Sequence, residues 1–307
     1  MTDRDSINSP LKYMLFYVFK KIVSTFSIKG LTGNRIFNPF YTPICSLLLP
    51  SCIKVFGYKL HLNPNDSLCG AMASGIYERF EVDLFRRVVK EGDVIVDVGA
   101  HIGYYTLLAA ALIGKNGKVY AFEPEPLSFS ILTRNVKENN FNDRVILVKR
   151  AVSDKTAKVK LFPLNKNLRS YVTLPSGKTV DIETTTLDEF FEDKNWKVDV
   201  VKIDVDGAES LVFSGMKKIV EQNRNLKVFM EFSPIKLKRF GTEPHKFLEK
   251  IMDWGFVVWT IEDGRRSLKN VHDFDELLKA CARGKRRTEV NLFLAKDFKF
   301  DGIISKF

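Results

Sequence analysis

Val96-Asp97-Val98-Gly99-Ala100-His101-Ile102-Gly103 decides how this chain folds. The run from Val94 to Val98 is short and nearly all apolar, the pattern of a strand buried on both faces. It breaks at glycine and leads into an apolar helix through Leu107 to Leu112. Outward from it the alternation continues. After the Gly114 to Gly117 turn come strand Val119 to Phe122, helix Pro126 to Asn140 and strand Arg144 to Val148. Upstream, Tyr77 to Lys90 is helical, with Phe80, Leu84, Phe85 and Val88 on one face, and Lys54 to Leu62 alternates as a strand or hairpin around Gly57. Residues 156–186 interrupt with β-rich pieces, Val159 to Phe162 and Val180 to Thr185, around the polar stretch Asn165 to Ser170. The pattern then resumes as strand Val200 to Ile203, helix Glu209 to Val220 and strand Val228 to Phe232. Helix Pro244 to Trp254, strand Phe256 to Ile261, helix Phe274 to Ala282 and strand Val290 to Ala295 complete it. Strands and helices alternating at this spacing specify an α/β fold around a doubly wound, largely parallel sheet.

The turn itself has chemical content. Gly99 permits a tight bend, Gly103 lets the following helix pack closely on the strand, and the first amides of that helix are free to face a ligand. The spacing is not the Gly-x-Gly-x-x-Gly of dinucleotide binders. His101 stands where a pyrophosphate needs a glycine's close backbone approach, which argues against a nicotinamide cofactor. The next strand ends in Phe122-Glu123-Pro124, and an acid there can hold ribose hydroxyls. A purely structural turn at Gly99 and a helix cap at Glu123 are the plain alternatives, and the pairing of Asp97 with Glu123 on adjacent strand ends favours a nucleoside ligand.

Further acids fall on the same rim. Ile203-Asp204-Val205-Asp206-Gly207-Ala208-Glu209 follows one strand, and Glu231 closes the next. Packing does not ask for acids at successive strand ends. They either orient a substrate and take its proton, or hold a divalent cation that acidifies a hydroxyl. Glu209, at a helix start, can also serve as an N-terminal cap.

Composition narrows the rest. Of 307 residues, 45% are hydrophobic and 28% charged, enough apolar content for a sizeable core, and the formal charge is +11. That charge is uneven: residues 1–60 carry +6, residues 61–222 carry −1 and residues 223–307 carry +6. The basic flanks are a surface for phosphates, anionic glycans or a membrane, or simply a solvated face. Cys45, Cys52, Cys69 and Cys281, and the four histidines, show no metal-ligand spacing. Scattered thiols point to a reducing compartment, and Tyr13 to Phe19 is too short an uncharged stretch to span a bilayer. The chain therefore reads as cytoplasmic. An amphipathic helix bearing Leu15, Phe16, Phe19, Ile22, Val23 and Phe26 could pack on a protein or lie in a membrane interface, and residues 11–29 are the candidate for peripheral contact with the membrane's inner face.

These residues together resemble the FkbM-like family of S-adenosylmethionine-dependent methyltransferases. The resemblance runs from Asn63-Pro64-Asn65-Asp66 through Gly75-Ile76-Tyr77-Glu78 to Met230-Glu231-Phe232. Its most specific parts are Asp97 through Thr106, Phe122-Glu123-Pro124, Asn135, Asn139 and Lys202-Ile203-Asp204-Val205-Asp206-Gly207-Ala208-Glu209. Asp206 stands where the family usually has glutamate, an acid of shorter reach. The resemblance implies a class I methyltransferase fold, a Rossmann-like seven-stranded sheet with its last strand antiparallel. It implies S-adenosyl-L-methionine as cofactor, with Asp97, Gly99, Ala100 and Gly103 around its methionine part, Glu123 and Pro124 at its ribose, and Glu78 in the same set. It implies O-methylation of a hydroxyl on a sugar, glycan or other natural product. The catalytic candidates are Asp204 helped by Glu231, with Asp206 and Glu209 as alternates or as ligands of a divalent cation. Residues 1–52 form a basic N-terminal extension and 53–307 the catalytic domain, with its core at 63–232. An RNA methyltransferase using the basic flanks and a binding protein without turnover are the alternatives. Nucleic acid is not the expected partner, because the module at 61–222 is near neutral.

Overall fold

The computed structural model describes residues 14–18, 21, 47–64, 66–161, 179–194, 197–283 and 289–296. Most of the anticipated N-terminal helix, the stretch Asn165 to Ser170 and nearly all of Arg283 to Arg287 lie outside them. The chain forms two compact units, Met1–Arg79 and Phe80–Phe307.

In the first unit, the helical turn at 14–18 buries Phe16 and exposes Met14, Leu15, Tyr17 and Val18. Leu15 and Phe16, expected on one stripe, therefore separate, as neighbours about 100° apart on a helix can. Strands β1 (Cys52–Val55) and β2 (Tyr58–His61) form an antiparallel hairpin. Its turn residues Phe56 and Gly57 are both left-handed, at φ 57° and 89°, the geometry a two-residue hairpin loop requires. Helix Ser67–Ser74 is capped by the Asp66 carboxylate, which accepts from Leu68 N at 3.1 Å, and ends on left-handed Gly75. Among the described residues no helix is long and apolar enough to cross a membrane.

The second unit is built on an eight-stranded sheet. Its strands are β3 (Val94–Val98), β4 (Lys118–Phe122), β5 (Val145–Val148), β9 (Val200–Ile203), β10 (Lys227–Phe232), β11 (Val257–Glu262), β12 (Ser267–Asn270) and β13 (Val290–Ala295). The order is β12-β11-β13-β10-β9-β3-β4-β5. From β5 to β10 every pairing is parallel, and β13 runs antiparallel to both β10 and β11. Seven of these strands realise the expected class I arrangement, with the last in sequence inserted antiparallel. The eighth, β12, is an addition: the chain turns back after Glu262 and pairs with β11 as a hairpin. A separate three-stranded sheet, β6-β8-β7 (Ala151–Val152, Val180–Thr185, Lys158–Leu161), accounts for the interruption.

Helices cover both faces of the large sheet. On one, Phe85 of helix Arg79–Val88 meets Tyr105 of helix Tyr104–Leu112 and Phe229 of β10, each at 5.3 Å between ring centres. On the other, Phe213, Phe247 and Phe256 pack together. The order in which strands are added to the sheet reverses between the parallel neighbours β3 and β9, so their carboxyl ends flank the crevice where open α/β sheets bind ligands.

One expected helix is two. Glu209 to Val220 breaks into Glu209–Ser214 and Lys217–Gln222. At the break, Gly215 lies against the chain of the small sheet: a β-carbon there would sit 2.1 Å from the Ser153 carbonyl oxygen. Asp188 exploits the gap, accepting from Lys218 N and Ile219 N at 3.1 and 3.2 Å and so capping the second helix. Gly215→Ala should therefore cost at least about 2 kcal/mol of unfolding free energy, although the glycine's φ of −93° suits any residue. Urea denaturation at neutral pH measures it.

Candidate active site

The loop between β3 and helix Tyr104–Leu112 is held by the end of β4 and by helix Pro126–Glu138. Asp97 is buried and accepts the Thr106 hydroxyl at 2.6 Å. Gly99 N and Ala100 N both donate to Phe122 O, at 3.0 and 2.9 Å. His101 takes a left-handed φ of 54°, and its amide donates to Glu123 Oε2 at 2.8 Å. Asn135 Nδ2 donates to Ile102 O at 2.7 Å, and Asn139 Nδ2 steadies Asn135 through its carbonyl.

Gly99 and Gly103 are both left-handed, at φ 83° and 93°, as the tight turn expected here requires, and each also allows a close approach. A β-carbon on Gly99 would fall 1.9 Å from the carbonyl oxygen of Asp204, so this glycine brings the turn against the end of β9. On Gly103 it would fall 2.6 Å from Leu132 Cδ1, so the close neighbour there is the next helix rather than β3. Nor is Glu123 a helix cap. Its second oxygen accepts from Glu125 N at 2.8 Å, and Glu125 caps helix Pro126–Glu138 by accepting from Leu127 N and Ser128 N. Ala100 and Pro124 are buried beside these residues in the chain. Glu78 is half-buried, at φ 41°, in the first unit.

Across the crevice the acids are not equivalent. Asp206, at φ 53°, Glu231 and Glu289 all converge on the ammonium of Lys236, with N–O distances of 2.8, 2.6 and 2.9 Å. Glu209 is buried; its Oε1 accepts from Gly207 N at 3.0 Å, and its Oε2 has no hydrogen-bond partner. Its carboxylate thus turns back onto the loop, and Ala208 holds the cap position without a side-chain bond. Asp204 is 32% exposed, with Lys202 Nζ 3.9 Å from its carboxylate. Among the described residues no group of three or more His, Cys, Asp and Glu is arranged to hold a metal ion. Where three acids meet, a lysine ammonium sits between them.

Beneath the rim lies a buried ion pair that the residue pattern did not single out. Lys202, on β9, stands beside Asp97 in the sheet register, lies 3.3 Å from Glu81 Oε1, and places its ammonium 5.0 Å from the centre of the Tyr105 ring. Asn291 of β13 donates to the other Glu81 oxygen. Both residues were detectable: Lys202 interrupts an apolar strand, and Glu81 occupies the apolar face of its helix with Phe85 and Val88. Lys236, Glu289 and Glu125 carried no comparable signal.

Burial governs the electrostatics. It pushes Asp97 up to about 6, opposed by Thr106 and Lys202. It likewise raises Asp206 to about 6 against the pull of Lys236, and Glu209 to about 7 against the Gly207 amide. Glu231 also moves upward, from burial and then the charge of Asp204, while its carboxylate neighbours hold Lys236 firmly charged.

Residues 97–258 match the methyltransferase FkbM domain. The chain belongs to the FkbM methyltransferase family. A relative is the hexuronic acid methyltransferase AglP of Haloferax volcanii, 29% identical over 147 residues, covering 47% of this chain and 59% of that protein. A probable cobalt-precorrin-6B C(15)-methyltransferase of Saccharolobus solfataricus is 30% identical over 61 residues, 20% of this chain and 31% of that one. The chain thus spans less than two thirds of the length of either. Among solved structures, an S-adenosylmethionine-dependent O-methyltransferase from Thermotoga maritima superposes with a TM-score of 0.41 at 16% identity, covering 81% of this chain and 78% of that one.

S-adenosylmethionine is the methyl donor that goes with an FkbM methyltransferase, and the residues present suit it. Glu123 is an acid at the end of β4, and the Ser128 hydroxyl, one turn into the following helix, is buried without a hydrogen-bond partner, as a site awaiting a polar ligand would be.

The raised Glu209 makes a stability prediction. Its protonated form is favoured by folding, so its contribution is complete below about 4.5 and lost as pH rises through about 7. Glu209→Gln keeps the Gly207 bond and removes the titration. Relative to wild type it should gain roughly 1 kcal/mol per pH unit across that window, read from urea unfolding at successive pH values.

Proposed function

We propose that this FkbM methyltransferase transfers a methyl group from S-adenosylmethionine to a hydroxyl on a sugar, a glycan or another hydroxylated natural product. The supporting observation is the position of Asp204. It is 32% exposed, its backbone carbonyl touches the Gly99 turn, and it is not among the acids gathered on Lys236. The relative from Haloferax, named as acting on hexuronic acid, supports a sugar as acceptor.

When bound, the cofactor supplies a methyl carbon activated by a sulfonium, so the protein's work is alignment and proton management. Glu123 and the Gly99–Gly103 loop would hold the nucleoside and methionine portions. Asp204 would accept the hydrogen bond of the acceptor hydroxyl and then its proton as the oxygen attacks. Lys202 keeps a positive charge behind that carboxylate at 3.9 Å. Asp206 and Glu231, bonded to Lys236, would shape the acceptor side.

Asp204→Asn should leave S-adenosylmethionine affinity within about threefold by calorimetry and lower transfer to a hydroxylated sugar by roughly 10²-fold or more. Undiminished transfer would exclude Asp204 as the base, and a wild-type chain that does not bind the cofactor would overturn the whole reading. Strongly salt-dependent RNA binding would instead favour the nucleic-acid alternative.

We also propose peripheral membrane contact through the N-terminal segment. The exposed Met14, Leu15, Tyr17 and Val18, in a segment of net charge +6, support an anionic lipid surface as its partner. Sedimentation with phosphatidylserine vesicles, lost on Leu15→Glu/Val18→Glu, is the expected result. Equal sedimentation of that double variant would refute it.

A further inference from the structure

We propose that Lys236 is a positioning residue that serves as the resident cation of the acceptor side, standing where a divalent ion would sit and holding the loop after β9 for methyl transfer without metal. This rests on the methyltransferase reading of the site.

Three observations converge. First, the carboxylates around the Lys236 ammonium come from three strand ends: Asp206 after β9, Glu231 within the end of β10, and Glu289 just before β13. Their distances of 2.6 to 2.9 Å are those of charge-assisted hydrogen bonds. Two of the ammonium's three N–H donors are hydrogen-bonded, to Asp206 Oδ1 and Glu231 Oε2, and Glu289 adds an ion pair at 2.9 Å. Lys236 therefore acts through the acids it gathers.

Second, the loop lies on the lysine's own backbone. Gly207 is at φ 111°, and a β-carbon there would fall 2.7 Å from Lys236 O and 2.8 Å from Lys236 Cβ. Side-chain ion pairs and backbone contact therefore tie the same two segments, and Asp206 keeps its left-handed φ of 53° between them.

Third, the three carboxylates share one point, although with the ammonium in place they are not arranged to hold a metal ion. Three carboxylate oxygens already surround one point at 2.6 to 2.9 Å, and contraction by a few tenths of an ångström would reach calcium–oxygen distances of about 2.3–2.6 Å. The ammonium occupies that point. In the wild-type protein the acids are satisfied by an internal charge that neither dissociates nor exchanges with solvent.

The experiment is Mn²⁺ titration of the full chain after EDTA treatment, by calorimetry and by electron paramagnetic resonance, on wild type and Lys236→Met. The methionine keeps the volume of the side chain and removes its charge. The expected result is Mn²⁺ affinity at least about tenfold higher in Lys236→Met than in wild type, abolished again when Asp206→Asn is added. No gain in Lys236→Met overturns the proposal. So does a wild-type chain that binds Mn²⁺ as tightly as the variant and loses it on Asp206→Asn. If Lys236→Met does not fold without metal, refolding in about 10 mM Ca²⁺ is the readout: recovery of a cooperative thermal transition supports the proposal and failure overturns it. S-adenosylmethionine titration of wild type separates the two levels. Cofactor binding with no metal gain removes this inference alone, whereas absent cofactor binding removes the methyltransferase reading.

Discussion

Gly99 lets two strand ends touch. A β-carbon at this position would overlap the Asp204 carbonyl oxygen at 1.9 Å, so only a bare backbone allows the turn after β3 to lie against the end of β9. These parallel strands are the pair at which the order of strand addition reverses in the sheet. Their contact brings the loop suited to a cofactor beside the acid suited to an acceptor. The remaining site features hang from it. Glu123 grips the loop from β4, Asn135 from the next helix, and Lys202 supports Asp97 and Asp204 from below.

The buried Lys202–Glu81 pair is a weak argument for stability. Taking both charges from water costs several kcal/mol each, and their attraction restores that only with good geometry and further hydrogen bonds. Asn291 and the Tyr105 ring supply part of that support. What the pair does supply is placement. It ties helix Arg79–Val88 to β9 and β13, and sets a positive charge among the carboxylates of the strand ends. Lys236 repeats this device on the acceptor side with three acids instead of one. A rim that reads in sequence as uniformly acidic is therefore divided by two lysines, with Asp206, Glu231 and Glu289 gathered on Lys236 and Asp204 standing apart from them beside Lys202.

Elements with strong local patterns are legible in the sequence. The strands Val94–Val98, Val180–Thr185, Val200–Ile203 and Val290–Ala295 lie where their apolar or alternating runs place them. Less legible were features with no local cause. Glu209 to Val220 has an unbroken helical pattern, and its break comes from Ser153 pressing on Gly215 and from Asp188 capping the second piece. The edge strand β12 is half-exposed and short, so it has little hydrophobic signature, and its pairing with β11 decides its state.

Sequence alone determined the alternation of elements, the glycine turn and the presence of acids at successive strand ends, because backbone freedom and apolar periodicity are local properties of neighbouring residues. Tertiary structure decided what each acid does. Asp206 and Lys236 are 30 positions apart, and Glu289 lies farther still, so which carboxylates share an ammonium depends on the order of strands in the sheet. Burial, too, is a property of the assembled sheet and helices, and it is burial that raises Asp97, Asp206 and Glu209 while Asp204 stays partly open to solvent.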